Sequence, residues 1–382
     1  MNNSATNNFP PRLIRADDFE HLLKALGAGG YKIQAPVIRD QAIVIDEIRS
    51  AGELPVGWRE EQDRGYYRIK KRADNSYFGY LVGAHSWKKF LFPPSVPVLE
   101  AKRTGNGFQF SATNDTLPPT AFLGMRPCDL KALEILDRVL LGSEYLDPIY
   151  QKRRQQIFIV AVNCTEPGGN CFCASMDSGP KAATGYDIVL TELIDASRHN
   201  FLAQAGTEKG NQILQQVPSE KASLDILKMS EEAVQAAARK MSRRIDTAGI
   251  KEMLYANAEH PRWEEVAKRC LSCANCTLVC PTCFCASIDD YTDLTGETAT
   301  RVRRWDSCFT LDHSYIHGGS IRPSVKSRYR QWLTHKLAAW HDQFGSSGCV
   351  GCGRCISWCP SGIDITEEAA AIRSGAIKAK AI

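Results

Sequence analysis

Two stretches of this sequence carry cysteines at a spacing that reads as ligand chemistry. Cys270, Cys273, Cys276 and Cys280, followed by Pro281, spell C-x2-C-x2-C-x3-C-P, and Cys349, Cys352, Cys355 and Cys359, followed by Pro360, spell it again. A four-iron, four-sulfide cubane needs thiolates converging on alternate corners. Three closely spaced cysteines wrap one side, and in two-cluster ferredoxins the fourth cysteine of each run crosses to the other cluster. The expected ligand sets are therefore Cys270, Cys273, Cys276 with Cys359, and Cys349, Cys352, Cys355 with Cys280. Structural zinc prefers paired C-x2–4-C hooks around one tetrahedral ion, which this pattern is not. Gly351 and Gly353 would permit close backbone approach and bring amides toward the cluster sulfurs.

A second cysteine pattern lies earlier. The phrase NCTEPGGNCFCASMD, residues 163–177, returns as NCTLVCPTCFCASID, residues 275–289, with nine of fifteen positions identical at an offset of 112 residues. The first half of the chain holds only Cys128, Cys164, Cys171 and Cys173. Cys128 and Cys164 each follow an expected strand, and the carboxyl ends of parallel strands are where open α/β sheets place ligands. Cys171 and Cys173 stand at i and i+2, so an extended segment points both the same way. Four thiols over one sheet edge imply a third iron–sulfur cluster of the [4Fe-4S] type, with [2Fe-2S], zinc or inert buried thiols as alternatives. Gly168, Gly169 and Gly179 give that loop freedom to wrap a core. In the second copy Cys283, Cys285 and Cys308 are left unassigned. They read as structural thiols, as alternative ligands, or as a site completed by Asp306, His313 or His317.

The elements that must position these groups change character along the chain. From about residue 17 to 227 helix and strand alternate: the helix DDFEHLLKAL with a glycine stop, strands YKIQAPVI, QAIVIDEI, GYYRIKKR, YFGYLVG and FQFSAT, then TAFLGMR, the helix DLKALEILDRVLL and the strand IFIVAV. The last three form a strand–helix–strand unit long enough for a parallel crossover. YDIVLTEL follows as a further strand. After residue 228 SEEAVQAAARKMSRR, DTAGIKEMLYAN, HPRWEEVAKRC, SVKSRYRQWLTHKLAAWHDQ and DITEEAAAIR read as helices with Ser, Asp or proline starts. The expected fold is α+β: a disordered tail over 1–16, an α/β domain over 17–228, and a mostly helical two-cluster ferredoxin-like domain over 229–382.

Bulk properties exclude several classes. With 382 residues and 43% hydrophobic content the chain has material for packed cores. No apolar run approaches the ~20 residues that cross a bilayer, and MNNSATNNFPP lacks the features of a secretion signal, so a cytoplasmic protein is expected. Fifteen cysteines in a reducing compartment point to metal ligation rather than disulfides. The net charge of +4 is mild, and three clusters at about −2 each would reverse it, so charge does not argue for nucleic acid. The basic groups Arg239, Lys240, Arg243, Arg244, Arg301, Arg303, Arg304, Lys88 and Lys89 read as solvated faces. Trp358 reads as a cluster shield or as core packing. His335 and His341 read as surface or satisfied core histidines. No G-x-G-x-x-G between strand and helix, no P-loop and no heme attachment motif is present, so no catalytic residue is assigned to this chain.

At MRPCDLKALEILDRVLL, NCTEPGGNCFCASMDSGP and WEEVAKRCLSCANCTLVCPTCFCASID the chain resembles the iron–sulfur beta subunit of soluble sulfhydrogenases and its iron–sulfur counterpart in anaerobic sulfite reductases. SWKKFLFPP and RRWDSCF are similar to the family as well. One departure is GGSIRP at Gly318–Pro323, where family members often carry a GGHNFR-like stretch. The resemblance implies an electron-transfer subunit of a multi-subunit oxidoreductase. It would pass single electrons between a flavin subunit, which carries FAD and handles NAD(P)H, and a nickel–iron hydrogenase small and large subunit pair. A sulfite reductase subunit is the alternative terminal partner. An iron–sulfur redox sensor without turnover is the alternative outside electron transfer.

Overall fold

TAFLGM and IFIVAV form adjacent parallel strands, Thr120–Met125 and Ile157–Val162, and nearly every residue in them is buried. Apolar runs without polar alternation suit strands covered on both faces. In the computed structural model, which describes residues 9–375 apart from 114, 115, 143 and 196, they are the centre of an eight-stranded sheet. Its spatial order is 220–221, 12–15, 199–205, 188–194, 157–162, 120–125, 32–39 and 42–48. The four strands from 188–194 to 32–39 run parallel, and the flanking pairs are antiparallel. The helix Pro127–Leu141 makes the crossover between the two central strands, with proline in its first turn.

Two local expectations fail for visible reasons. YFGYLVG is not a strand, because a buried and a half-buried carboxylate take the amides a ladder would need. Glu192 accepts from the Tyr77 and Phe78 amides at 2.7 and 2.9 Å, and Glu60 accepts from the Leu81 amide at 2.7 Å. The segment 1–16 is not all tail, since Arg12–Arg15 pairs antiparallel with His199–Ala205. Residues 1–8 lie outside the described residues.

The second half contains the expected helices as Ile250–Ala256, Arg262–Arg269, Val325–Thr334 and Ile365–Ser374. The mostly helical expectation needs correction, because strands Ala286–Thr292 and Thr298–Trp305 lie between the two cysteine runs. The second pairs antiparallel with Ser95–Thr104, which pairs in turn with Gly107–Ala112, so one four-stranded sheet draws on both halves. ASIDDYT and TATRVRRW form a hairpin around a turn at Gly296, which the sequence reading missed. The helix Leu224–Lys240 runs through the point where composition changes and packs by Ile226 against Leu193 and Leu202 of the large sheet.

The basic segments are not simply solvated. The Lys88 ammonium is buried, donates to the Cys283 carbonyl at 2.8 Å and sits 3.9 Å from the Trp305 ring centre. Arg243 reaches Asp364 at 2.7 Å and Asp63 at 2.9 Å, and Arg303 pairs with Asp147. Among the described residues no helix is long and apolar enough to cross a membrane.

Candidate metal centres

The three cysteine sets fall in one connected region. Cys270, Cys273, Cys276 and Cys359 line one cavity, walled by Phe309, Tyr329 and Trp332. Cys128, Cys164, Cys171 and Cys173 line another, beside Arg126, Met241 and Trp358. The remaining set lies between them. Of Cys280, Cys349, Cys352 and Cys355, Cys355 also lines the first cavity and Cys352 lines the second. Cys273 is the exposed member of the ligand candidates, whereas Cys164, Cys171 and Cys173 are buried.

Local backbone explains how short runs can curl around a core. Ser272 and Ala274 have φ of 50° and 64°, and the equivalent Gly351 and Gly353 have 63° and 74°. Left-handed residues flanking the middle cysteine turn three thiols to one side, and two amides then point back at sulfur. Ser272 donates to Cys270 Sγ and Gly351 to Cys349 Sγ, both at 3.4 Å, and Ile363 donates to Cys359 Sγ at 3.3 Å. Such bonds stabilise thiolate charge and tune a bound cluster.

The glycines of the second run have a further cause. A Cβ on Gly351 would lie 2.6 Å from the Cys173 nitrogen, and one on Gly353 would lie 2.3 Å from the Asn170 carbonyl oxygen. The second run is thus pressed against the loop that carries Cys171 and Cys173, and Phe172 donates to the Gly351 carbonyl at 2.9 Å. Asn170 completes the seam by donating to Ser357 Oγ at 2.7 Å and to the Asp63 carbonyl at 3.0 Å.

Burial pushes most of these thiols up, foremost Cys128, Cys171, Cys173, Cys276 and Cys355, and Cys349 to about 12. Thiols this reluctant to ionise in an apolar interior become thiolates when a metal takes the proton's place. Buried cations offset part of the charge. Lys336, on a π-helical turn at His335–Ala339, donates to Cys280 Sγ at 3.4 Å and to Thr282 Oγ1 and the Gly348 carbonyl at 3.0 Å each. Arg354 pairs with Asp129 at 2.8 Å beside Cys352 and Cys128. Arg126 lies 4.0 Å from Cys164 Sγ. Sequence reasoning missed all three. Arg126 and Arg354 stand inside the cysteine motifs, which was a usable signal; the π turn that aims Lys336 has none.

Cys283, Cys285 and Cys308 are not incorporated into the cavity linings described above. All three are half-buried, the Lys88 ammonium donates to the Cys283 carbonyl at 2.8 Å, and the Asp306 amide donates to the Cys285 carbonyl at 2.9 Å. His313 bonds Asp306 Oδ2 through Nδ1 at 2.8 Å, and His317 is exposed. Trp358 lines the Cys128 cavity, with its ring 5.4 Å from that of Tyr67. His335 is half-buried and bonded to Gln343 at 2.9 Å.

The donor sets suit iron–sulfur cores. Thiols rim each cavity, and among the described residues no three His, Cys, Asp or Glu side chains are gathered for a single metal ion. Tyr329 Oη and Trp332 Nε1 border the Cys270 cavity as buried donors without a hydrogen-bond partner among the described residues, and so does Arg354 Nε at the Cys128 cavity. Buried donors beside thiol-rimmed cavities are what anionic sulfur would satisfy. This is the architecture of an iron–sulfur electron-transfer protein. Residues 269–363 match the family model of the 4Fe-4S dicluster domain. Over 257 residues the chain is 34% identical to sulfhydrogenase 2 subunit beta of Pyrococcus furiosus, covering 66% of this chain and 74% of the relative. The chain belongs to the sulfhydrogenase beta-subunit family, with the role of an iron–sulfur electron-transfer subunit. No solved structure matches it.

Proposed function

We propose that the chain holds three [4Fe-4S] clusters and relays single electrons through them in a line. Cys270, Cys273, Cys276 and Cys359 would hold the first, Cys280, Cys349, Cys352 and Cys355 the middle one, and Cys128, Cys164, Cys171 and Cys173 the third. The observation that carries the order is the sharing of walls: Cys355 of the middle set borders the first cavity, and Cys352 borders the third. Each cluster, when bound, takes up and releases one electron. The residues hold thiolates in place, exclude water with Phe309, Trp332 and Trp358, and set potentials through amide–sulfur bonds and buried cations.

The wider reading is a cytoplasmic complex in which a flavin subunit with FAD and NAD(P)H lies at one end and a nickel–iron hydrogenase at the other. Support comes from the relative, which is a sulfhydrogenase subunit. The division proposed is an α/β unit over 17–228 and a two-cluster unit over 229–382. Anaerobic purification with metal analysis and EPR spin counting tests the relay. About twelve irons per chain are expected, at four per cubane. About eight would remove the third cluster, and zinc with little iron would overturn the whole assignment.

A further inference from the structure

Tyr329 and Trp332 stand on one face of the helix Val325–Thr334, and both side chains are almost wholly enclosed, at 2% and 4% exposure. Their ring centres lie 5.5 Å apart, and Phe309 packs against them at 6.2 and 5.9 Å. Together the three rings wall the Cys270 cavity. The helix is pinned at its start. Ser324 Oγ accepts from the Ser327 amide at 3.1 Å, and Arg328 donates to the Arg322 and Pro323 carbonyls at 3.3 and 2.9 Å. Arg328 Nη2 also reaches Ser272 Oγ at 3.4 Å, and the Ser272 amide donates to Cys270 Sγ. The helix is thereby tied to the loop that carries the first cysteines.

What this wall lacks is acceptors for its two polar atoms. Among the described residues neither Tyr329 Oη nor Trp332 Nε1 has a hydrogen-bond partner, and a buried donor left without one costs free energy. Polar groups in the surrounding core are satisfied. Trp263, whose ring lies 6.4 Å from that of Tyr329, donates through Nε1 to the Asn257 carbonyl at 2.8 Å. The Thr277 hydroxyl donates to the Ala274 carbonyl at 2.7 Å, and the buried Glu368 carboxylate is engaged by Arg262 and Arg269 at 2.6 and 2.5 Å. Tyr80 Oη and Trp87 Nε1 are unpartnered too, but they belong to the core of the large sheet and line neither cysteine cavity. Two stranded donors on one helix face, both bordering one thiol-rimmed cavity, call for an acceptor inside it.

We propose that Tyr329 Oη and Trp332 Nε1 are positioning donors for the first cluster, each giving a hydrogen bond to a sulfur of the core that Cys270, Cys273, Cys276 and Cys359 would hold. It rests on that set holding a cluster. Burial lifts the Tyr329 hydroxyl well above its usual range, so it keeps its proton and remains a donor. Reduction adds one negative charge to the site and breaks no bond. O–H and N–H dipoles facing that charge favour the reduced form, whereas a wall of bare rings would oppose it. Lys336 and Arg354 supply full positive charges beside cysteines of the middle and third sets, but no Lys or Arg lines the first cavity. The two neutral donors take that role at the first site and keep its potential from falling out of reach of its neighbours.

The test is EPR-monitored redox titration of anaerobically purified holoprotein, in which the signal that Cys276→Ser removes marks the first site. Tyr329→Phe keeps the ring and removes only the hydroxyl; Trp332→Phe keeps an aromatic wall without the indole N–H. Each should retain the wild-type iron content and lower the first midpoint potential alone. The expected size is about threefold to tenfold in the reduction equilibrium, tenfold being ~59 mV for a one-electron couple. Resonance Raman adds a readout that packing alone would not move. The shift of the iron–sulfur stretches between H2O and D2O should shrink in both variants. Tyr80→Phe, which removes an unpartnered hydroxyl elsewhere, should change neither quantity. An unmoved first potential in Tyr329→Phe overturns the proposal, and that variant suffices because its ring stays in place. So does an equal fall at all three signals, or an undiminished deuterium shift. A missing first-site signal in wild type would instead refute the relay reading beneath it.

Discussion

Lys336 is a buried ammonium set against the Cys280 thiol, and its effect on the proposed middle cluster has a definite sign. A reduced cluster is one charge more negative, so a cation 3.4 Å from Cys280 Sγ favours reduction. Lys336→Met should therefore lower one midpoint potential and leave the other two nearly unmoved, as read by EPR-monitored redox titration. An unchanged set would exclude a tuning role. Ala274 offers a second residue-level prediction. It sits at φ 64° where its counterpart is Gly353, so Ala274→Gly should stabilise the protein by about 1 kcal/mol in denaturant titration. The dicluster domain was legible because the spacing of its two cysteine runs is written locally in the chain. Lys336 was not, because its aim depends on a π turn and on Gly348 arriving from twelve residues further on.

At the scale of elements, the two similar phrases have different duties. The first carries Cys164, Cys171 and Cys173 to the rim of a cavity and presses residues 170–173 against Gly351 and Gly353. The second ends in a hairpin. Gly353 is buried at φ 74°, and Gly353→Ala should cost on the order of 2–4 kcal/mol, since its Cβ would meet a backbone oxygen at 2.3 Å. A thermal shift of under a degree would contradict the seam described. The parallel crossover was readable from two apolar runs flanking a periodic helix. The 77–83 loop was not, because Glu192 and Glu60, remote in sequence, capture its amides. The hairpin 286–305 was missed because its strands are half exposed and its partner strand Ser95–Thr104 lies some two hundred residues earlier.

For the whole molecule, the proposed boundary near 228 separates compositions more than it separates bodies. One sheet is built from both halves, Arg354 and Asp129 pair across them, and the Cys128 cavity includes Cys352. Residues 17–228 expressed alone should accordingly fail to hold iron, whereas independent units would each retain their own share. In the intact chain Cys171→Ser should remove about four irons and Cys276→Ser a different four, distinguishable by which EPR signals survive. If both variants lose the same signals, the partition is wrong. This interlocking was not visible in the sequence, since nothing local records which loops meet.

The unequal exposure of the cysteines sets an order of decay. Cys273 is open to solvent at one end of the proposed line, while Cys164, Cys171 and Cys173 are enclosed at the other. Oxidants and chelators would reach the proposed first core soonest, so on the three-cluster reading slow exposure to air should strip the protein from that end, passing through a form with two cores before any with one. Ageing would then cut the conductor at its terminal, leaving its interior whole, and repair would require refilling a single, accessible socket.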